Sequence, residues 1–434
     1  MESEALTGTS KVSLNVEYMP IDDVEKLERY CPGGYCPTTI GERLNNRYHV
    51  VHKLGVGSYS TVWLARDQEA GKYVSIKIAI ASSEVAGSQE SSILHRLLVA
   101  DSEAGTHPGR PLISPILDEF TLSSPNGIHR CFVTVPGMMN LAEAKDASYI
   151  RLFQLPVARA IVAQLVQAVA FLHSRGIVHA DLHAGNVLIR LPGAIDALLP
   201  EQLYKRFGQP RYEPVVRLDN RPLQDNIPSH IVVPIWLGKE SENISLTEAQ
   251  IILTDFGESF APGNTMRYYS NTPDVLIPPE VYFEPQETLS FPADIWTLAC
   301  TIWTVLGQSP LFEGFNPSVD WVLKEHVDTL GKLPEQWWLK WDSRNRWFNE
   351  DGSRHHGAYR RPWAQRFEDS VQKPRQESNM PEVGQEEKLA LFAMLKAMLD
   401  FQPKERPTAR EVMECEWMRT WALPELLKIR ENQI

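Results

Sequence analysis

Beginning at Gly176 the chain reads GIVHADLHAGNVLI, which sets Asp181 and Asn186 five residues apart with His183 between them. A carboxylate and an amide on one short loop suit two tasks: accepting the proton of a hydroxyl nucleophile and offering an oxygen to a hard divalent cation. Asp255, in TDFGES, supplies a second carboxylate. Upstream, Leu54 leads into GVGSYSTV, where Gly55, Val56, Gly57, Ser58, Tyr59, Ser60 and Val62 form a glycine-rich turn whose N–H groups can approach phosphate oxygens. Lys77 in VSIKIA is a cation suited to the α and β phosphates, and Glu90 is the anion to hold it, with Glu84 as second candidate. Together these residue types fit phosphoryl transfer from a nucleoside triphosphate held with magnesium.

The elements that must position them follow from periodicity. YHVVHKLGVGSYSTVWLARD alternates on both sides of the glycines and predicts two strands; KYVSIKIAI predicts a third, with Lys77 facing away from Ile76 and Ile78. A turn between two strands also excludes a dinucleotide-binding loop, which joins a strand to a helix. SQESSILHRLL predicts a helix and RCFVTV another strand, giving a small α+β unit. From VARAIVAQLVQAVAFLHSRG onward the pattern turns helical.

Residues 1–47 are polar and turn-rich, and read as a tail. About sixty residues, 191–250, separate the catalytic-type loop from Asp255; rich in proline and mixed charge, they read as a semi-ordered or disordered insertion. Arg344 to Ser378 is polar and basic, and reads as a surface excursion. His95 and His173 read as ordinary helix residues, His179 as structural, holding the catalytic loop through hydrogen bonds to backbone, and Trp337, Trp338, Trp341 and Trp347 as packing.

At 434 residues, with 43% hydrophobic and 23% charged, the chain can bury a large core. The five cysteines form no CxxC pair, so neither a disulfide framework nor a zinc site is expected, and Cys31 and Cys36 read as free thiols. The acidic start is no signal peptide, and no apolar run reads as long enough to span a membrane. The net charge of −12 argues against direct nucleic-acid binding and is compatible with a basic partner.

Over about residues 48–418 the motif set resembles the eukaryotic protein kinase family: glycine hairpin, strand lysine, helix glutamate, H-x-D-x-x-x-x-N and D-F-G. IPPEVYF resembles the segment that closes the activation loop, and ADIWTLAC the helix whose aspartate, Asp294, braces the catalytic loop. FQPKERPTAREVMECEW resembles the closing segment in which Arg406 pairs with Glu280. The lead-in PGGY…IGERLNNRYHVVHKLG, the serine at the third glycine position and the place of the insertion are similar to the SR-protein kinases in their fungal form.

The resemblance implies a two-lobed α+β fold, with a β-rich lobe at 48–136, a helical lobe at 137–418 and a C-terminal helix or tail at 419–434. It also implies ATP and Mg²⁺, a monomer active on serines in basic, Arg/Ser-rich splicing-factor proteins, and residence in cytoplasm and nucleus. Lys77, Asp181 and His183 would be catalytic, and Asn186 and Asp255 would hold the metal. Ser75 stands where alanine packs on adenine, Thr134 at the back of the pocket, and Val135 and Gly137 at the hinge. Ala180 replaces the usual arginine before Asp181, implying activity without activation-loop phosphorylation, and His183 replaces the usual lysine. The family's acidic docking groove is partly matched by Glu313, Asp320, Glu325 and Asp328, spaced like an ordinary helix surface. Two alternatives stay open: a pseudokinase scaffold, for which His183 would mark decayed catalysis, and a small-molecule kinase, against which the P-P-E, D-I-W and E-R-P segments speak.

Overall fold

A computed structural model describes residues 17–82, 84–98, 107–355 and 360–431; residues 1–16 and the side chain of Glu84 lie outside the described residues. In chain order the elements are β1 (Arg43–Leu44), β2 (Tyr48–Gly57), β3 (Ser60–Asp67), β4 (Lys72–Ala79), α1 (Glu84–Leu98), β5 (Asp118–Ser124), β6 (Gly127–Thr134), β7 (Gly137–Asn140), α2 (Leu141–Asp146) and α3 (Leu155–Ser174). They continue with β8 (Val187–Arg190), α4 (Pro200–Phe207), β9 (Tyr212–Pro214), β10 (His230–Val232), β11 (Ile251–Leu253), α5 (Glu280–Phe283), α6 (Phe291–Leu306) and α7 (Val319–Leu330), followed by short helices. The chain forms two compact units. One gathers the residues up to Glu84 with Asp118–Val133 and Leu198–Ile235; the other holds Val85–Leu117, Thr134–Ala197 and Trp236 onward.

The first unit is a six-stranded sheet in the order β1-β2-β3-β4-β6-β5. β2 and β3 pair antiparallel down to Gly57 opposite Ser60, so Ser58 and Tyr59 alone make the turn. Alternation sorts β4 by face: Val74, Ile76 and Ile78 join Trp63, Val50 and Val133 in the core. Lys77 pairs with Val62 and Ser75 with Leu64, which puts the two polar residues on the opposite face.

The insertion is folded, against the disorder read from its composition. Leu203, Val215, Ile227, Ile231 and Val232 are buried. Val215 and Ile227 lie outside helix and strand, and Ile231 in a strand of three residues. They are buried because they meet a distant segment: Val215, Ile227 and Ile231 pack with Tyr18, Leu27, Tyr30 and Tyr35. Tyr204 Oη donates to the Val51 carbonyl at 2.8 Å, and Tyr73 Oη to that of Leu198 at 3.1 Å. The described part of the N-terminal segment is likewise no loose tail: Tyr18 bridges Arg217, and Glu25 forms a fully buried ion pair with Lys53.

In the second unit α3 packs against α6. By length and composition α3 is apolar enough to cross a membrane, contrary to the reading that no run was, but 89% of its apolar window is buried within the protein, as in a core helix. The three-stranded sheet β11-β8-β7 lies in the same unit. Arg344 to Ser378 is no surface excursion, since Arg366 and Arg375 are buried. Nor is α7's acidic face an ordinary surface. Glu325 and Asp328 are buried; Arg366 reaches Glu325 at 2.9 Å and Arg354 grips Asp328 with two bonds of 2.8 and 2.7 Å. Burial opposes charge on Glu325, yet Arg366 and Lys324 hold its carboxyl below the ordinary range. Glu313 pairs with Arg361 and Asp320 with Arg346. Trp337, Trp338 and Trp341 are packed and buried, and all five cysteines are free thiols.

Candidate active site

The register of β8 against β11 places Val187 opposite Leu253, so Asn186 and Thr254 meet at one end of the ladder and Asp255 follows directly. Thr254 N–H donates to the Asn186 carbonyl at 3.0 Å. Asn186 Nδ2 in turn donates to the Asp181 carbonyl at 2.8 Å and to its carboxylate Oδ2 at 3.0 Å. The other carboxylate oxygen, Asp181 Oδ1, is buried with no hydrogen-bond partner among the described residues. A lone pair held so, with its sister oxygen fixed, is set to accept a proton from a hydroxyl.

The loop is held in a conformation that a non-glycine chain resists. Ala180 and Asp255 have φ of +65° and +61°, which persists only where surrounding bonds impose it. At Ala180 the imposing group is Asp294, fully buried, which accepts the N–H of His179 at 2.7 Å and of Ala180 at 2.9 Å. His173 Nε2 lies 3.0 Å from the same carboxylate, so the residue read as an ordinary helix histidine is part of the brace. Burial works against charge on Asp294, but His173, the nearby His179 and the Ala180 N–H hold its carboxyl below the usual aspartate range. Ser259 Oγ donates to the His179 carbonyl at 3.0 Å, and His179 Nε2 lies 3.1 Å from the Thr254 carbonyl.

His183 Nδ1 accepts the Gly185 N–H at 3.0 Å, which leaves the ring's proton on Nε2, 3.6 Å from Asp181 Oδ1. Its neutral form is therefore an N–H donor pointed at the side of the carboxylate that has no partner.

Arg406 clasps Glu280 with two bonds of 2.7 Å, both side chains buried, and also donates to the carbonyls of Pro292 and Asp400. Between Asp255 and Glu280 the segment is tied internally by the Arg267–Glu258 pair, and to the chain beyond it by the Leu289 N–H, which donates to the Arg267 carbonyl at 2.7 Å.

The remaining expected residues fall in both units. In the first, Gly55, Val56, Gly57, Ser58 and Tyr59 lie at the turn end of the β2–β3 hairpin, Leu54 precedes them, Val62 pairs with Gly55, and Ser60 is buried. Ser75 and Lys77 lie on β4. In the second, Glu90 is buried on α1, Thr134 ends β6, Val135 follows it and Gly137 opens β7. A Cβ at Gly137 would fall 2.5 Å from Leu188 Cδ1, so packing against β8 already requires a glycine there.

Asn186 and Asp255 at one ladder end suit magnesium, which takes one or two protein oxygens and fills its shell with phosphate and water. Among the described residues no group of three or more His, Cys, Asp or Glu gathers as a metal cluster. His173 and Ser259 were missed in the sequence because each acts through a contact with a distant segment, and the Arg267–Glu258 pair because its nine-residue separation follows no helix or strand spacing.

The sequence was compared with known proteins. The Protein kinase domain profile matches residues 48–196 and 240–418. The stretch it leaves out contains the Leu198–Ile235 segment that folds into the sheet unit. A serine/threonine protein kinase of Aspergillus fumigatus is 26% identical over 410 residues, 91% of this chain and 90% of that protein. The serine/threonine-protein kinase SRPK of Physarum polycephalum is 26% identical over 424 residues, 91% of each chain. SRSF protein kinase 3 of Mus musculus is 34% identical over 170 residues, 39% of this chain and 30% of that protein.

Proposed function

The chain belongs to the protein kinase family, in its serine/threonine class, and we propose that it transfers the γ-phosphoryl group of ATP to serine hydroxyls in basic, Arg/Ser-rich proteins. The observation that carries the catalytic reading is Asp181 Oδ1, buried and without a hydrogen bond among the described residues, beside an amide that fixes the rest of the carboxylate. Asp181 orients the substrate hydroxyl and takes its proton as the oxygen attacks phosphorus and the bond to the β-phosphate oxygen breaks. Asn186 and Asp255 would hold magnesium, which would neutralise charge on the phosphates. The amides of the glycine hairpin and the ammonium of Lys77 grip the phosphates, and Ser75 on the same strand borders the base. His183 supplies an N–H to the transferring group where a lysine would supply a charge.

The Arg267–Glu258 pair supports activity without phosphorylation of the activation segment, because the segment is held by charges it already carries. A scaffold without turnover is disfavoured by the presence of base and metal ligands together. The Arg/Ser preference is supported by the net charge of −12 and by two relatives' names, SRPK and SRSF protein kinase 3. The carboxylates of α7 lend it no support, since the chain's own arginines engage them. We place the protein in cytoplasm and nucleus, as a monomer, on the same resemblance.

The test is an ATP assay on an Arg/Ser peptide against a basic peptide lacking serine–arginine repeats as neighbours of its serine. A preference for the first is expected; equal rates would remove the substrate assignment and leave the kinase assignment standing.

A further inference from the structure

We propose that Arg29 and Tyr35, in the segment before the kinase domain, are positioning residues that set the glycine hairpin for phosphate binding, and that the insertion holds them there. The inference rests on the nucleotide-binding reading of that hairpin.

Two glycines of CPGGYC shape the segment that carries Arg29 and Tyr35. Gly33 has φ +87°, and a Cβ at Gly34 would fall 1.7 Å from the Arg29 carbonyl oxygen, so the two glycines fold the chain back onto Arg29. The turn is tied in place: Tyr35 N–H donates to the Arg29 carbonyl at 3.0 Å, Gly33 N–H to Asn126 at 2.8 Å, and the Gly33 and Gly34 carbonyls accept from Ser82 and Ala81. Tyr35 is buried, and its hydroxyl emerges at the hairpin tip. There it donates to the Gly57 carbonyl at 2.9 Å and lies 3.3 Å from that of Ser58. Arg29 Nη1 donates to the same Ser58 carbonyl, and its guanidinium lies 5.7 Å from the centre of the Tyr59 ring.

A peptide unit is planar and trans, so its C=O and N–H point in opposite directions. Pinning the carbonyls of Gly57 and Ser58 toward the N-terminal segment therefore turns the N–H groups of Ser58 and Tyr59 the other way. These are two successive amides at the tip of a turn that is otherwise tied by strand pairing and by the Ile80 N–H, which donates to the Tyr59 carbonyl at 2.9 Å. A loop fixed in its binding orientation loses less freedom on binding, which appears as affinity.

The insertion completes the device. Asn226 Nδ2 donates to the Tyr30 carbonyl at 2.7 Å and to Asn126 Oδ1 at 3.1 Å, while Asn126 Nδ2 donates to the Tyr35 carbonyl at 2.8 Å. Val215, Ile227 and Ile231 pack on Tyr30 and Tyr35. The fold of the insertion is thus linked to the hairpin through three carbonyls and one aromatic cluster.

The full chain is tested as Tyr35→Phe, Arg29→Gln and Asn226→Ala, with the dissociation constant for Mg·ADP and the KM for ATP as readouts beside kcat and melting temperature. Loss of one such bond is expected to weaken nucleotide binding about three- to tenfold, with kcat at saturating ATP changed by less than about twofold. Tyr35→Phe and Asn226→Ala together should add little to either alone, because they act through one chain of contacts. Wild-type affinity in both Tyr35→Phe and Arg29→Gln would overturn the proposal, as would a lower melting temperature with unchanged nucleotide affinity. Arg29 is only partly buried, so its variant stands as the test if Tyr35→Phe fails to fold. Absence of nucleotide binding by the wild type would instead count against the kinase reading.

Discussion

Asn186 Nδ2 lies 2.8 Å from the carbonyl and 3.0 Å from the carboxylate Oδ2 of Asp181, so one amide fixes both the loop and the proton acceptor on it. Replacing Asn186 with alanine removes both bonds and a metal oxygen. The expected result is a fall in kcat of about a hundredfold or more, with a higher Mg²⁺ requirement, read by magnesium titration of the rate.

His183 donates through Nε2 because Nδ1 is occupied by the Gly185 N–H. His183→Gln, which keeps an N–H donor, should stay within a few-fold of the wild type, whereas His183→Ala should lose roughly tenfold in kcat. Equal rates for the two variants would show that the imidazole N–H takes no part.

Arg267 ties the activation segment through Glu258. Phosphatase treatment is therefore expected to leave the rate unchanged, while Arg267→Ala should lower it. A rate that depends on prior phosphorylation of this segment would contradict the role given to the pair.

His326 is buried between Trp296 and Phe312 with neither ring nitrogen hydrogen-bonded, and burial pushes its pKa from 6.5 down to about 3. The folded state therefore resists a proton that the unfolded chain accepts below about pH 6.5. The stability that goes with the neutral ring is present in full above 6.5 and is lost as pH falls toward 3, by up to ~1.4 kcal/mol per pH unit. Melting temperature should drop between pH 7.5 and 5.5, and less so in His326→Phe; an equal drop in both would place the acid sensitivity elsewhere.

How much of this was readable from the sequence depended on the range of the interaction. Alternation in VSIKIA assigned Lys77 and Ile76 to opposite faces because strand period is local. The Glu280–Arg406 clasp and the Asp294 brace were reachable through resemblance, since each lies in a motif. The folded insertion was not: Ile227 and Ile231 have no local period, and their burial depends on Tyr18 and Tyr30 some two hundred residues away. The α7 carboxylates were misread for the same reason, because the arginines that allow Glu325 and Asp328 to be buried belong to a stretch whose composition suggested surface. His173 shows the limit most sharply, as nothing in FLHSRG announces a partner at residue 294.

The central claim is that Asp181 is the base of a phosphoryl transfer to serine. Its most direct test measures transfer of labelled γ-phosphate from Mg·ATP to a serine-containing Arg/Ser peptide by the wild type and by Asp181→Asn, with nucleotide affinity measured on both. The account predicts peptide labelling by the wild type and a loss of about 10²–10⁴ in the variant at unchanged nucleotide affinity. Equal labelling by both proteins would contradict it.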